Sequence, residues 1–257
     1  MSAREPFGSE PYFTERPHAR PHRRELRFLY RGELLAFAVD SGVFATHGLD
    51  PGTALLIENL GVGSGDRVLD LGCGWGPVGV AAARSAPRGE VVLTEVNQRA
   101  ARLARENLGR NRVANATVRL GPLFAPVAGE RFDVIATNPP YRAGRELVLR
   151  LLAEAPEHLV PGGRLVLVGK GSQGILFYQE WLAQHWAPEV RVLARGSGYR
   201  VLEARVPGRS RGPSPPVAGE GVKNRRSLGR RPRGAAGAPG AVRSGPSRRP
   251  GADQRTG

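Results

Sequence analysis

Apolar residues change their period along the chain, and each change marks an element. Residues 25–39, ELRFLYRGELLAFAV, alternate apolar and polar on either side of Arg31-Gly32, the pattern of a β-hairpin. Residues 41–53, SGVFATHGLDPGT, read as a loop, and Ala54 to Leu60 as a short helix. From Arg67 onward, strand-length apolar runs at 68–71, 90–95, 116–120, 132–137 and 163–168 are separated by helical stretches near 77–85, 98–110, 145–155 and 174–185. The helix at 98–110 is the clearest, with Ala100, Leu103, Ala104 and Leu108 at helical spacing and Arg and Glu on the other face. Strands at 190–194 and 199–205 have no helix between them and predict a closing antiparallel hairpin. Together these elements predict an α/β fold: a doubly wound, mostly parallel, seven-stranded sheet with helices on both faces, preceded by a β-hairpin. In such sheets ligands bind outside the carboxyl ends of the strands, near the point where strand order reverses.

The residues with chemical potential fall on that edge. VLDLGCGWGPVGV, residues 68–80, places Gly72, Gly74 and Gly76 at the end of the first strand of the sheet, with Pro77 where a helix can begin. The next strand ends in Glu95, close to the usual separation between a glycine loop and an acid that accepts ribose hydroxyls. Gly74, Gly76 and Gly79 also match a nicotinamide-type fingerprint, but Asp70 stands just before the turn. A dianionic pyrophosphate gains nothing from a neighbouring carboxylate. S-adenosylmethionine, with a cationic amino group and a sulfonium, suits one. Cys73, the sole cysteine, reads as a small buried turn residue, and the histidines His18, His22, His47, His158 and His185 show no metal-ligand spacing.

The fourth strand of the sheet stops in TNPPYRAG, residues 137–144. Prolines explain the stop but not the Asn and Tyr beside them. Here the chain resembles class I S-adenosylmethionine-dependent methyltransferases of Rossmann-like fold, whose (Asn/Asp)-Pro-Pro-(Tyr/Phe) motif belongs to enzymes that methylate an exocyclic or amide nitrogen. NPPYRAGR, DSGVFATHGLDPGTALLIE, GKGSQG and GSGYRVLEA are similar to segments of the small-domain ribosomal RNA guanine-N2 methyltransferases, and the resemblance spans roughly 25–206. It implies that Asp70, Gly72 and Gly74 hold the methionine part of S-adenosylmethionine and Glu95 the ribose, with Gly76 also in the cofactor site. It further implies that Asn138, Pro139, Pro140 and Tyr141 form the catalytic loop, with Asn138 also binding the cofactor and Tyr141, Arg142 and Arg145 binding the substrate. The Asn138 oxygen and the Pro139 carbonyl would each accept one N–H of the target amine, and Tyr141 would offer a face for the flat base. Gly121-Pro122-Leu123-Phe124 departs from the family's Gly-Asp-Leu-Phe, placing Pro122 where an Asp receives the adenine amino group.

Charge adds a partner. The chain carries 38 basic and 23 acidic residues, and from Pro207 onward 12 basic residues face 2 acids in a segment of 51 residues rich in Gly and Pro. That segment cannot bury a core and is expected to be a disordered tail; residues 1–24 form a basic extended arm whose Arg16, Arg20, Arg23 and Arg24 suit phosphate contacts. The expected domains are therefore 1–24, 25–206 and 207–257. RNA, ribosomal or within the small subunit, is the expected partner, with no metal and no membrane. The N-terminal stretch lacks the apolar core of an export signal, so a cytoplasmic location is expected. A protein glutamine-N5 or tRNA adenine-N6 methyltransferase remains an alternative. From a different class, a non-catalytic cofactor- or RNA-binding protein on the same fold stays open because of Pro122.

Overall fold

The computed structural model describes residues 23–40 and 48–208. Most of the basic arm, most of the tail and residues 41–47 of the DSGVFATHG stretch lie outside the described residues. The hairpin pairs β1 (Arg23–Tyr30) with β2 (Glu33–Asp40) as a separate two-stranded sheet. Arg31 and Gly32 both adopt positive φ in its turn. Two residues of that hand match the twist of the flanking strands.

The main sheet has the order β5-β4-β3-β6-β7-β9-β8. Its strands are β3 (Arg67–Leu71), β4 (Glu90–Glu95), β5 (Ala116–Leu120), β6 (Phe132–Thr137), β7 (Leu159–Lys170), β8 (Val190–Gly196) and β9 (Tyr199–Arg205). Only β9 runs against its neighbours, pairing antiparallel with both β7 and β8. The order reverses between β3 and β6. Buried parallel strands explain the near-continuous apolar runs Val91–Leu93 and Val134–Ala136, whose residues are almost completely enclosed.

Helices α1 (Pro51–Glu58), α2 (Pro77–Ser85) and α3 (Gln98–Arg110) share one apolar cluster with the hairpin. The opposite face is filled by α4 (Arg145–Glu154) and α5 (Ile175–His185). The two largest departures from the expected boundaries are the starts of α1 and β7. Helix α1 begins at Pro51, three residues before Ala54, because the Asp50 side chain caps Thr53 N at 2.9 Å and Pro51 occupies the first turn. Strand β7 begins at Leu159 rather than 163, since Leu159 pairs with Phe132 ahead of a register shift.

The hairpin is held by two asparagines one turn apart, Asn107 on α3 and Asn111 at its C-cap. Asn107 Oδ1 accepts from Ala38 N at 2.7 Å while its Nδ2 donates to Ala38 O at 2.9 Å and to Trp75 O at 2.8 Å. Asn111 repeats the pair with Ala36, accepting at 3.0 Å and donating at 2.8 Å. These amides imitate a neighbouring strand along β2, so its edge groups are satisfied although a helix covers them. Phe37 packs edge-on against Trp75, with ring centres 5.0 Å apart. Asp40 pairs with Arg99 at 2.6 Å.

Asn107 is fully buried and joins the hairpin to the glycine loop. Asn107→Ala leaves buried backbone groups of Ala38 and Trp75 without that partner, and should lower unfolding free energy in urea by about 2–3 kcal/mol. A loss below about 0.5 kcal/mol, the range of neutral surface changes, would show that apolar contact alone docks the hairpin.

Candidate active site

The glycine loop leaves β3 and turns back into α2, and its three glycines sit in different surroundings. Gly72 has φ +74°, and a Cβ built there would meet nothing within 4 Å, so the space beside its Cα is open while its N–H donates to Thr94 O at 3.0 Å. Gly74 N–H donates to Glu95 Oε2 at 2.8 Å. Gly76 is enclosed by Ala104 and Leu93. A fourth glycine sets the helix against the sheet: a Cβ on Gly79 would lie 2.4 Å from Leu93, so α2 could not sit this close to β4 with any larger residue.

Two buried acids face this loop. Asp70, at the end of β3, accepts from Gly79 N at 2.8 Å. Burial pushes its pKa up to about 7, opposed by the Gly79 bond and assisted by the negative charge of Glu95. Glu95, at the end of β4, accepts from Asn97 N at 2.9 Å through Oε1 and from Gly74 N through Oε2. Burial raises its pKa as well, against the pull of those backbone bonds. Each Glu95 oxygen keeps a lone pair for a further donor. On either side of it, Thr94 Oγ1 and Asn97 Nδ2 are buried with no hydrogen-bond partner among the described residues. Open space beside Gly72, a carboxylate with free lone pairs at Glu95 and an acid at Asp70 suit a ribose attached to a cationic amino-acid chain. The residues present therefore fit S-adenosylmethionine. At the end of β5, Gly121 N bonds Glu95 O at 2.9 Å, Pro122 is exposed and Leu123 takes φ 45°.

Across the point of order reversal, β6 ends in the second cluster. Thr137 Oγ1 donates to Leu71 O at 2.9 Å and ties the two strand ends together. Asn138 Nδ2 donates to Thr53 Oγ1 at 3.1 Å and to Asp50 Oδ2 at 3.3 Å. Both partners accept, so the amide nitrogen is fixed toward α1 and the Oδ1 end is left to receive a donor. The other Asp50 oxygen accepts from Tyr199 OH at 2.7 Å. Burial and the Asp50 carboxylate raise that phenol to about 12, so it remains a donor at neutral pH. Pro140, at φ −76° and ψ 68°, centres an inverse γ-turn in which Pro139 O accepts from Tyr141 N at 2.8 Å. The Pro139 carbonyl is thereby fixed in direction and retains its second lone pair. Tyr141 is more embedded than its place in the motif suggests. Its hydroxyl donates to Val168 O at 2.8 Å and its ring lies 5.8 Å from that of Tyr178. Arg142 and Arg145 are exposed beside the loop.

A model of the methyltransferase small domain matches residues 34–203, taking in both clusters. The chain belongs to this family. It is accordingly an S-adenosylmethionine-dependent methyltransferase by family. Among its small-domain relatives, the uncharacterized protein YbxB of Bacillus subtilis is 33% identical over 199 residues, covering 77% of this chain and 98% of YbxB. Ribosomal RNA small subunit methyltransferase C of Pasteurella multocida is 34% identical over 178 residues, covering 68% of this chain and 52% of the relative. Among solved structures, the T. thermophilus 16S rRNA N2 G1207 methyltransferase RsmC, in complex with AdoMet and guanosine, superposes with TM-score 0.63 at 28% identity. That alignment covers 72% of this chain and 50% of RsmC. The chain thus spans about half the length of the small subunit methyltransferases it matches and nearly all of YbxB.

Asp50, Thr53 and Tyr199 were not among the candidate residues read from the small-domain sequence. The sequence places Asp50 in a loop, and nothing in it links this acid to Asn138 or to Tyr199, 88 and 149 residues away. Because the folded-state pKa of Asp70 lies above its unfolded value, its protonated form favours the fold. That contribution is complete below about pH 4 and is lost as pH rises through about 7. Thermal melts of the cofactor-free chain from about pH 5 to about pH 8 should therefore lose less stability in Asp70→Asn than in the wild type. Parallel curves would contradict the burial of an ionisable Asp70.

Proposed function

We propose that the chain transfers a methyl group from S-adenosylmethionine to an exocyclic amine of a base in RNA, guanine N2 of small-subunit ribosomal RNA. The observation that carries this reading is the fixed direction of the Asn138 amide. With Nδ2 bound to Asp50 and Thr53, Oδ1 and the Pro139 carbonyl form a pair of acceptors at the end of β6. An exocyclic amine has two N–H donors and a delocalised, weakly nucleophilic lone pair. Two acceptors hold those hydrogens, turn the lone pair away from the ring and stabilise the positive charge that builds on nitrogen. Bound against Gly72, Asp70 and Glu95, S-adenosylmethionine supplies an electrophilic methyl on a sulfonium. No strong base is required, because the alkylated nitrogen becomes acidic and releases its proton to water.

Asp70, Gly72, Gly74, Gly76 and Glu95 are proposed to hold the cofactor, and Asn138 to Tyr141 with Arg142 and Arg145 the substrate. A glutamine amide or adenine N6 presents the same pair of hydrogens. Guanine is favoured by the likeness to RsmC, a 16S rRNA N2 G1207 methyltransferase with guanosine bound, and small-subunit RNA by RsmC and the matching small subunit methyltransferases. RNA is favoured by exposed Arg142 and Arg145 at the rim. We further propose a cytoplasmic reaction, a domain over 25–206, and flanking basic segments at 1–24 and 207–257.

Labelled methyl transfer to small-subunit RNA, bulk tRNA and a release factor, run side by side with nucleoside and peptide mass spectrometry, tests the substrate. The expected product is N2-methylguanosine; label only in protein or on adenine would overturn guanine. Asn138→Ala should abolish transfer while S-adenosylmethionine binding by calorimetry changes less than about twofold, since it removes an acceptor and not the cofactor pocket. Asp50→Ala should lower kcat by about 10- to 100-fold with cofactor affinity unchanged, as expected for loss of orientation alone. Equal turnover in either variant and wild type would contradict the mechanism.

A further inference from the structure

The surface beside the Asn-Pro-Pro-Tyr loop carries apolar and cationic groups that neither cluster uses. In the first turn of α5, Leu176 and Phe177 are 50% and 39% exposed, although Ile175, Tyr178 and Leu182 already fill the core beneath that helix. The Arg145 guanidinium, on the first residue of α4, lies 4.8 Å from the Phe177 ring centre. Phe177 meets Tyr178 edge-on at 5.4 Å, and Tyr178 meets Tyr141 at 5.8 Å. The rings therefore run from the proposed catalytic loop to the surface. Arg142 is exposed on the turn that follows Tyr141. Among the described residues neither Arg142 nor Arg145 is ion-paired; the exposed acids on the same helices are Glu146 and Glu180.

An exposed ring overlaid by a guanidinium that no carboxylate neutralises offers what an unpaired nucleotide needs: a flat face for the base and a cation for the phosphate beside it. We propose that Phe177 and Arg145, with Arg142, form a platform that stacks an unpaired RNA nucleotide next to the methylated base. This rests on the RNA reading of the same site. It gives that reading a substrate class, since a base stacked here must lie in a single-stranded loop, bulge or end rather than within a duplex.

Fluorescence anisotropy of the full chain with a labelled single-stranded RNA of about twelve nucleotides, and with the same strand in a duplex, tests the platform. Phe177→Ala should weaken single-strand binding about tenfold, leave duplex binding and S-adenosylmethionine affinity unchanged, and be rescued by Phe177→Tyr. Arg145→Gln should weaken the single strand and flatten its salt dependence. Unchanged single-strand affinity in Phe177→Ala, or equal losses on single strand and duplex, would overturn the proposal. So would a wild type that binds a release-factor fragment and neither RNA. Selective loss on the single strand together with absent methyl transfer would instead support the platform while removing the proposed reaction.

Discussion

The carboxylate of Asp50 is the contact on which the second half of the site depends. It caps α1 through Thr53 N, receives Tyr199 OH from the start of β9, and takes the amide nitrogen of Asn138 at the end of β6. Three elements distant in sequence are registered against one side chain. An asparagine amide is nearly symmetrical in shape and opposite in chemistry at its two ends, so an unguided Asn138 would present a donor as readily as an acceptor. Two acceptors on one side remove that ambiguity before any substrate arrives. Orientation established in advance requires no reorganisation during reaction.

The glycine-loop half is built on a different principle, close approach of backbone. Gly79 lets α2 press on Leu93, Gly72 leaves the space beside its Cα open, and Glu95 braces the turn through Gly74. Thr137 then joins the two halves by bonding Leu71 O. Behind them, Asn107 reaches from α3 to both Ala38 and Trp75. The hairpin is thus coupled to the glycine loop through one buried side chain, and its stability bears on the loop's shape.

Most of the architecture was legible in the sequence because buried parallel strands leave apolar runs and amphipathic helices leave a period. The bounds of β4, β5, β6, α2 and α3 agree with those patterns to the residue. The motif loops were legible too, since glycine, proline and asparagine at strand ends have few other physical reasons to occur together. What was hidden depends on long-range contact. Asp50 looked like a loop acid, and only the fold brings it to Tyr199. Asn107 on α3 and Asn111 at its C-cap follow the apolar stripe at helical spacing, a signal of buried polar pairing that gives no hint of its partner until β2 is seen beside it. The position of β7's first residue depended on a register shift against Phe132, which no local pattern encodes.

The most direct measurement of the central claim is a crystal structure of the chain with S-adenosylhomocysteine and guanosine bound. The account predicts the guanine amino nitrogen within hydrogen-bonding distance of both Asn138 Oδ1 and Pro139 O, with Asn138 Nδ2 still on Asp50. A guanine held elsewhere, or an Asn138 amide turned with its nitrogen toward the base, would contradict it.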